Sequence, residues 1–280
     1  MESNFKKNIS ACIIVYNEEK IIRRCLDSIK DLVDEIILVH DGECSDKTLE
    51  IAKEYTDKVF VRDHIGEAEP HRVFCLEQAR GEWILQIDAD EYLNIDSHEK
   101  IKEMINNDDV NGYKFHWEFW NGLKVILIPG LYKLCLYRKN NFSYFGVPHE
   151  SGEVSGKVFR SELLLCHRPN YNNISMRTHI NKDRKWEKIR AKYFFSEIIK
   201  VQSFNADVKQ WYLLADKKKR YIWLYLFIEP LKIFLVQGLK NKLWLSYYGF
   251  IFSIQQALNE FLLCFNIIKY KRFLNNKKSL

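Results

Sequence analysis

The side chains best placed to do chemistry are the carboxylates of Asp88, Asp90 and Glu91, which directly follow the apolar run Trp83–Ile87. An Asp-x-Asp pair at the end of a buried strand supplies the hard oxygen ligands that Mg²⁺ or Mn²⁺ prefers, and such a cation also binds diphosphate oxygens. Most isolated Asp-x-Asp pairs are solvated loop residues, so the pair gains meaning only from its surroundings. Here an apolar strand precedes it, which favours a ligand site.

Two other apolar runs end in polar clusters. Residues 9–15 lead into Tyr-Asn-Glu-Glu at 16–19, and residues 35–39 lead into the segment 40–48, His-Asp-Gly-Glu-Cys-Ser-Asp-Lys-Thr. Ligands of an open α/β sheet bind beyond the carboxyl ends of its strands, so these clusters are expected at one edge of the sheet with the Asp-x-Asp pair. Carboxylates gathered there repel one another unless a cation lies among them.

The elements that must position these groups alternate between strand and helix. Helical patterns of 10–15 residues separate apolar strands up to residue 87, which predicts βαβ units and a parallel sheet. From about 112 to 166 shorter strand patterns follow, so we expect a mixed sheet. Beyond Pro169 the sequence predicts four helices, over 174–201, 206–215, 221–237 and 243–269. We therefore expect an α/β domain over residues 1–168 and a helical region over 169–280.

Composition limits the classes of protein. The chain has 280 residues, 47% hydrophobic and 29% charged, which excludes a disordered or fibrous protein. Residues 1–160 carry 21 basic and 29 acidic side chains, whereas residues 161–280 carry 22 and 8. A basic region attracts anionic partners, but no nucleic-acid-binding motif accompanies it, so we expect none. Seven cysteines without a CxxC pair indicate free thiols in a reducing compartment.

The helical region has the features of an interfacial anchor. Its last two predicted helices are apolar and aromatic, and the basic groups Lys217–Arg220 and Lys269–Arg272 flank them. Charged and amide residues interrupt both helices, so neither qualifies as a clean span of about 20 apolar residues. Such helices bind the surface of an anionic membrane. The alternatives are a helical subdomain packed on the core and a homo-oligomer interface. The first ten residues contain no apolar signal segment.

Several motifs in this order resemble a known family. YNEE, DGECSDKT, ARGEWILQIDADE and VPHE are similar to motifs of the family 2 inverting glycosyltransferases, which have the GT-A fold, a Rossmann-like mixed sheet flanked by helices. Within that family the chain most resembles the bacterial lipopolysaccharide-core glucosyltransferases. The motifs cover residues 8–168, and EPLKIFLVQGL and GFIFSIQQALNEFL are similar to the hydrophobic C-terminal helices of the same group. The fold implied is GT-A with a C-terminal amphipathic helical extension.

The resemblance also implies a nucleotide-sugar donor, a UDP-hexose, and a divalent cation, Mn²⁺ or Mg²⁺. Asp88 and Asp90 match the motif that binds the metal, the donor ribose and the diphosphate. Asp41 matches the acid that contacts uracil, and Arg72 matches a basic residue near the diphosphate. DGECSDKT is one residue longer than the commoner form of its motif, which affects the alignment of Asp41. The donor-binding set is Tyr16, Asn17, Glu18, Asp41, Arg72, Asp88 and Asp90.

Inversion by direct displacement requires one carboxylate to take the proton of the acceptor hydroxyl. Glu150, in the segment Pro148-His149-Glu150, and Glu91 are the candidates. Adjacent side chains on extended backbone point to opposite sides, so an Asp90 bound to the metal would turn Glu91 away. This argument favours Glu150 and leaves Glu91 open. His149 is a candidate third metal ligand, with substrate contact and loop orientation as alternatives.

The function expected from these arguments is hexose transfer to a glycan or lipid-linked acceptor in cell-surface polysaccharide or lipopolysaccharide biosynthesis. We expect the enzyme at the cytoplasmic face of the cell membrane. A sugar-phosphate nucleotidyltransferase is an alternative, although residues 16–24 contain no glycine for the phosphate loop that such an enzyme uses. A non-catalytic carbohydrate- or lipid-binding relative is the third possibility. UDP release from a UDP-sugar separates it from the enzymes.

Overall fold

A mixed eight-stranded sheet with helices on its faces forms the centre of the protein. The computed structural model describes residues 8–196 and 200–278. Residues 1–7, in which the sequence shows no apolar signal segment, lie outside that range. The strand order is β3-β2-β1-β4-β7-β6-β10-β5, and β8 and β9 pair separately. The strands are β1 Ile9–Val15, β2 Glu35–Asp41, β3 Val59–Arg62, β4 Trp83–Gln86, β5 Glu91–Tyr92, β6 Gly112–Trp120, β7 Val125–Arg138, β8 Phe142–Ser143, β9 Glu153–Val154 and β10 Val158–His167.

The first four strands are parallel and place their carboxyl ends together. β1 pairs with both β2 and β4, and β2 pairs with β3, all in parallel register. Six of the seven residues of β1 are buried, because helices cover both faces of this part of the sheet. The polar segments after β1, β2 and β4 consequently lie at one edge, as predicted from the sequence.

The second half of the sheet is mixed, which confirms the predicted fold class. β7 is antiparallel to both β4 and β6, whereas β10 is parallel to β6 and antiparallel to β5. β7 extends further than predicted because its register shifts along β6 and accommodates Pro129 and Gly130. A Cβ on Gly130, whose φ is +81°, would lie 1.9 Å from the carbonyl oxygen of Asn241. That glycine therefore allows the segment before α8 to approach the sheet.

The helices differ from the prediction in length. They are α1 Ile22–Asp27, α2 Thr48–Lys53, α3 Glu69–Gln78, α4 His98–Ile105, α5 Met176–Tyr193, α6 Val208–Arg220, α7 Ile222–Leu235 and α8 Tyr247–Lys278. α4 was not predicted, and α1 and α2 have six residues each, where 10–15 were expected. α1 ends early because the Ser28 hydroxyl donates to the Cys25 carbonyl at 2.7 Å and competes with the helix. α5 ends at Tyr193, whose carbonyl accepts from Trp211 Nε1 at 3.2 Å. The sequence predicts a longer helix, over 174–201, and residues 197–199 of that range lie outside the described residues.

The cysteines behave as expected from their spacing. All seven are free thiols, and five of them are buried. They fill small spaces in the core, and burial raises the pKa of the Cys135 thiol well above its ordinary value.

Candidate active site

Asp88, at the end of β4, is neutralised by two cationic side chains. Its Oδ2 accepts from Lys133 Nζ at 2.7 Å, and its Oδ1 accepts from Arg72 at 2.5 Å. Lys133 comes from β7 and Arg72 from α3. Burial alone would raise the pKa of Asp88, but Arg72 and Lys133 outweigh it and hold the pKa well below its usual range. The carboxylate is therefore ionised at every physiological pH.

Glu91 is entirely buried beneath this pair. Both its oxygens accept from Lys133 Nζ, at 2.7 and 2.8 Å, and it also accepts from Trp117 Nε1 at 2.8 Å and from the Asp88 backbone N–H at 2.9 Å. Burial, with Asp88 close by, raises the pKa of Glu91 against the opposing effect of Lys133. These contacts hold the Asp-x-Asp turn and the Lys133 side chain in place. A catalytic role for Glu91 stays a prediction.

Asp90 is oriented by a chain of hydrogen bonds from the far side of the sheet. Its Oδ2 lies 3.0 Å from His167 Nε2, and the Nδ1 of that imidazole lies 2.8 Å from Asn173 Nδ2. The backbone N–H of Trp120 donates to Asn173 Oδ1 at 2.8 Å, which fixes the amide so that its NH₂ faces His167. His167 therefore accepts at Nδ1 and donates from Nε2 to Asp90. Trp117 stacks on the imidazole with ring centroids 5.0 Å apart.

These groups fit a divalent cation held by one carboxylate. Among the described residues no group of three His, Cys, Asp or Glu side chains could enclose a metal ion. Mg²⁺ is usually held by one or two carboxylates together with substrate phosphates and water, so such an enclosure is not required. Asp90 Oδ1 is the oxygen that a cation would take, and the His167 hydrogen bond fixes the carboxylate as outer-shell donors commonly do.

The structure places His149 against α5. Its Nδ1 donates to Glu187 Oε1 of α5 at 2.9 Å, and its backbone has a φ of 60°, in the left-handed region. His167, from a strand that the sequence did not connect with the site, is instead the imidazole beside Asp90. Metal coordination by His149 stays a prediction; a carboxylate on Nδ1 is a common outer-shell partner of a metal-binding imidazole.

The predicted base-binding residues lie at the ends of β1 and β2. Asp41 is nearly buried, and its carboxylate accepts from the N–H groups of Ile65 and Gly66 at 2.6 and 2.8 Å and from His71 Nε2 at 2.8 Å. Although burial opposes it, these donors lower the pKa of Asp41. Asp41 thus orders the loop after β3. Its contact with a nucleobase stays a prediction.

Tyr16 offers a flat, accessible surface beside that loop. Tyr16 is 51% exposed, and the centroid of its ring lies 5.0 Å from that of the His64 ring and 5.9 Å from that of the His40 ring. Aromatic rings of this kind stack on planar ligands. The edge of the sheet therefore has an aromatic surface of the kind that a nucleobase requires.

Asn17 and Glu18 connect the ends of β1 and β2. Asn17 adopts φ 54°, its N–H donates to His40 Nε2 at 3.2 Å, and its Oδ1 accepts from the Ser45 N–H at 2.9 Å. Glu18 is partly buried, and burial together with the charges of Asp90 and Asp46 raises its pKa to about 7. Repulsion between Glu18 and Asp90 shows that the predicted acidic edge does form.

Glu150 lies in a loop that packs against α5. Its Oε1 accepts from Arg190, whose other terminal nitrogen lies 3.4 Å from Glu187 Oε2. Gly152 allows this loop to fold closely, because a Cβ there would lie 2.0 Å from the ring of Phe142. Glu187 is fully buried, whereas the side chain of Glu150 is 31% exposed. Glu150 therefore remains accessible while one of its oxygens is held.

A cavity of about 750 Å³ extends from Asp88 to Glu150. Asp88, Arg72 and Lys133 line one wall, and His149 and Glu150 line another. Helices α5, α7 and α8 close the remaining side, where Trp186, Ile233, Phe252, Gln256 and Asn259 contribute. Aromatic surfaces with polar groups placed between them bind sugars and other small polar molecules. Of the aromatic run in β6, Trp117 and Phe119 reach this cavity.

Four residues of the site were missed from the sequence alone: Lys133, His167, Glu187 and Arg190. Each contacts a predicted residue from a distant part of the chain. Lys133 is 45 residues from Asp88, His167 is 77 residues from Asp90, and Arg190 is 40 residues from Glu150. The like-charge crowding at the strand ends was a signal that cations must lie nearby, but it did not identify them.

Comparison with known proteins places these features in a family. The family described as "Glycosyl transferase family 2" matches residues 10–160. An uncharacterised glycosyltransferase of Rickettsia felis is 36% identical over 233 residues, covering 77% of this chain and 81% of its own. Another, of Rickettsia prowazekii, is 25% identical over 272 residues, covering 91% of this chain and 85% of its own.

Solved structures with a related arrangement are more distant. The S. aureus protein TarS, residues 1–349 in complex with UDP-GlcNAc, is 16% identical with a TM-score of 0.48, covering 89% of this chain and 90% of that chain.

Proposed function

The chain belongs to glycosyl transferase family 2, and on that premise we propose that it transfers a hexose from a UDP-sugar with inversion at the anomeric carbon. Tyr16 and the loop ordered by Asp41 would bind the uracil ring. Asn17 and Glu18 would line the base of this site, between the ends of β1 and β2. Asp88 would contact the ribose. The observation that carries the proposal is the array of Asp88, Asp90, Arg72 and Lys133 at the carboxyl end of β4, because it presents both carboxylates and cations where a diphosphate would lie.

The leaving group needs positive charge. Arg72 NH1 is buried without a hydrogen-bond partner among the described residues, and it lines the cavity beside Asp88. A buried N–H without a hydrogen-bond partner costs about 1–3 kcal/mol, and a bound phosphate oxygen would remove that cost by accepting from it. A divalent cation held by Asp90 would neutralise part of the diphosphate charge when bound. Lys133 keeps the carboxylate turn from repelling the incoming phosphates.

The acceptor hydroxyl needs a base, for which we propose Glu150. The hydroxyl oxygen forms the new bond to the anomeric carbon as the bond from that carbon to the diphosphate oxygen breaks. The hydroxyl proton passes to the free oxygen of Glu150. This assignment is supported by the position of Glu150 on the cavity wall and by the burial of Glu91, whose oxygens already accept from Lys133, Trp117 and Asp88.

The acceptor in this proposal is a lipid-linked glycan used in cell-surface polysaccharide or lipopolysaccharide assembly. The cavity is walled by Phe252, Gln256 and Asn259 of α8 on its inner side. The outer sides of α7 and α8 are apolar and exposed, with Trp223 59%, Phe227 66% and Phe265 53% exposed. One pair of helices thus lines the sugar cavity and carries the apolar outer face, which suits an acceptor with a sugar head and a lipid tail.

The helices lie on the cytoplasmic membrane surface in this proposal. Segments 222–240 and 247–277 are long and apolar enough to cross a membrane by length and composition alone. Pro230 inside α7 leaves one carbonyl without its helical donor, and an unsatisfied backbone group in hydrocarbon costs several kcal/mol. Glu229 and Lys232 pair beside it at 3.2 Å. Both features are better tolerated at headgroup depth.

The decisive experiment is a panel of nucleotide sugars, tested with and without Mn²⁺. We expect one UDP-hexose to raise the melting temperature and to release UDP in the presence of metal. Binding without any UDP release, with acceptor lipids supplied, would instead identify a non-catalytic carbohydrate-binding relative.

A further inference from the structure

The proposed base is held by a residue outside the region that carries the family motifs. Arg190 lies on α5, 40 residues after Glu150, and donates to Glu150 Oε1 through NH2. Its NH1 donates to Glu187 Oε2 at 3.4 Å, and Glu187 Oε1 in turn accepts from His149 Nδ1 at 2.9 Å. The four side chains form a closed set in which each of the two adjacent loop residues has a partner on one helix.

The two members of this set on α5 are buried, whereas His149 and Glu150 remain partly exposed. The side chain of Arg190 is 12% exposed and that of Glu187 is fully buried. Arg190 Nε is buried without a partner among the described residues, so the guanidinium depends on the two carboxylates for compensation. Burial would lower the pKa of Arg190, but Glu150 and Glu187, with a smaller contribution from Glu260 of α8, raise it well above its ordinary range. Arg190 is therefore a permanent cation beside the proposed base.

The backbone of the loop also indicates a fixed orientation. His149 has a φ of 60°, a left-handed conformation that is uncommon for non-glycine residues, although His adopts it more often than most. The Glu187 contact holds His149 in that conformation, and the conformation turns the next residue, Glu150, toward the cavity and Arg190. Residues 187 and 190 are three apart on one helix and so share a face.

We infer that Arg190 is the positioning residue for the base Glu150, so that α5 completes the active site rather than merely joining it to the membrane helices. Arg190 holds Oε1 and leaves Oε2 for the acceptor hydroxyl, in the way that catalytic bases are commonly oriented by a third group. This inference rests on the proposed function, because it takes Glu150 as the base.

A double-mutant cycle tests it, with donor hydrolysis as the assay. Water then replaces the acceptor hydroxyl, and the probe is UDP-glucose, or whichever UDP-hexose the panel identifies, with Mn²⁺ and the full-length chain. Arg190→Gln should lower kcat about 10²-fold, the scale of a misplaced catalytic group, with the donor KM unchanged. Arg190→Lys should recover part of the rate. Arg184→Gln, on the exposed side of the same helix, should leave it unchanged.

The cycle separates positioning from other roles. If Arg190 acts through Glu150, the double variant Arg190→Gln/Glu150→Gln loses no more activity than Glu150→Gln alone. Additive losses would overturn the inference and leave the proposed function standing. Wild-type activity in Glu150→Gln, or no UDP release by the wild-type chain, would overturn the proposed base or the proposed function itself. Unchanged donor affinity in each variant, measured calorimetrically, shows that the fold is retained. A melting-temperature loss with additive rates would assign Arg190 a structural role alone.

Discussion

Lys133 Nζ lies 2.7 Å from Asp88 Oδ2, so a lysine in the middle of an antiparallel strand neutralises the first carboxylate of the Asp-x-Asp pair. The same ammonium serves the fully buried Glu91. Burial would lower the pKa of Lys133, yet Asp88 and Glu91 outweigh it and raise the pKa above its usual range. The acidic edge expected from the sequence is therefore built with its own counter-ion.

Removing that ammonium should destabilise the protein strongly. Lys133→Met leaves Glu91 buried without its cation, and breaking a buried pair in this way costs about 3–5 kcal/mol. Urea unfolding should detect the loss, with Lys124→Met at an exposed position as the control. Lys133→Met/Glu91→Gln should recover part of it, because both charges are then gone. A single variant as stable as the control would contradict this account of the site.

The metal proposal predicts a sharp division between activity and stability at Asp90. Asp90→Ala removes the oxygen that would hold the cation, while the buried strand before it stays intact. UDP release should fall to background, whereas the free energy of unfolding of the unliganded protein should fall only by the cost of the lost His167 hydrogen bond, about 1–3 kcal/mol. Asp96→Ala, an exposed acid in the same region, should retain full activity. Undiminished activity in EDTA would refute metal dependence.

The two candidate bases should respond differently to an amide. Glu150→Gln keeps the Arg190 hydrogen bond but accepts no proton, so the rate should fall about 10²- to 10⁴-fold with donor affinity retained. Glu91→Gln should mainly lower stability, since Lys133 would lose a buried partner. Single-turnover rates and urea unfolding measure the two effects. The opposite pattern would reassign the base to Glu91.

Stability of the metal-free protein should depend on pH through Glu18. Its folded-state pKa of about 7 lies above the ordinary value of 4.5, so its contribution to folding is fully present below pH 4.5 and is lost as pH rises through 7. Glu18→Gln should therefore be more stable than wild type at pH 8, by about 1–3 kcal/mol, and similar at pH 5. The exposed Glu43→Gln should show no such trend, and equal pH profiles for wild type and Glu18→Gln would contradict the shift.

Membrane association should depend on both charge and apolar area. The full chain should float with anionic liposomes better than with neutral ones, and high salt should release it, because each basic residue near the surface contributes about 1 kcal/mol. Neutralising Lys217–Arg220 should weaken flotation, and truncation after residue 215 should abolish it while donor binding survives. Resistance to carbonate extraction would instead indicate a spanning segment. A chain that stays soluble would assign these helices to packing on the catalytic core.

The sequence predicted best what depends on local pattern. β1 was predicted with its observed bounds, and the polar ends of β1, β2 and β4 meet because parallel strands share an edge. It could not predict partners brought together by topology. His167 reaches Asp90 only because β10 returns to pair with β5, and Arg190 reaches Glu150 only because α5 packs against the loop. No local pattern records those pairings.

Because β7 lies between β4 and β6, the sheet of a nascent chain cannot be completed until β7 has been synthesised. β1 to β4 can pair with one another as soon as they leave the ribosome, but β4 then exposes an open hydrogen-bonding edge until residues 125–138 emerge. Unpaired edges recruit other chains into aggregates. Over the same interval Asp88 has Arg72 as a partner but lacks Lys133, and Glu91 has no cation. Insertion of β7 therefore ends both hazards at once.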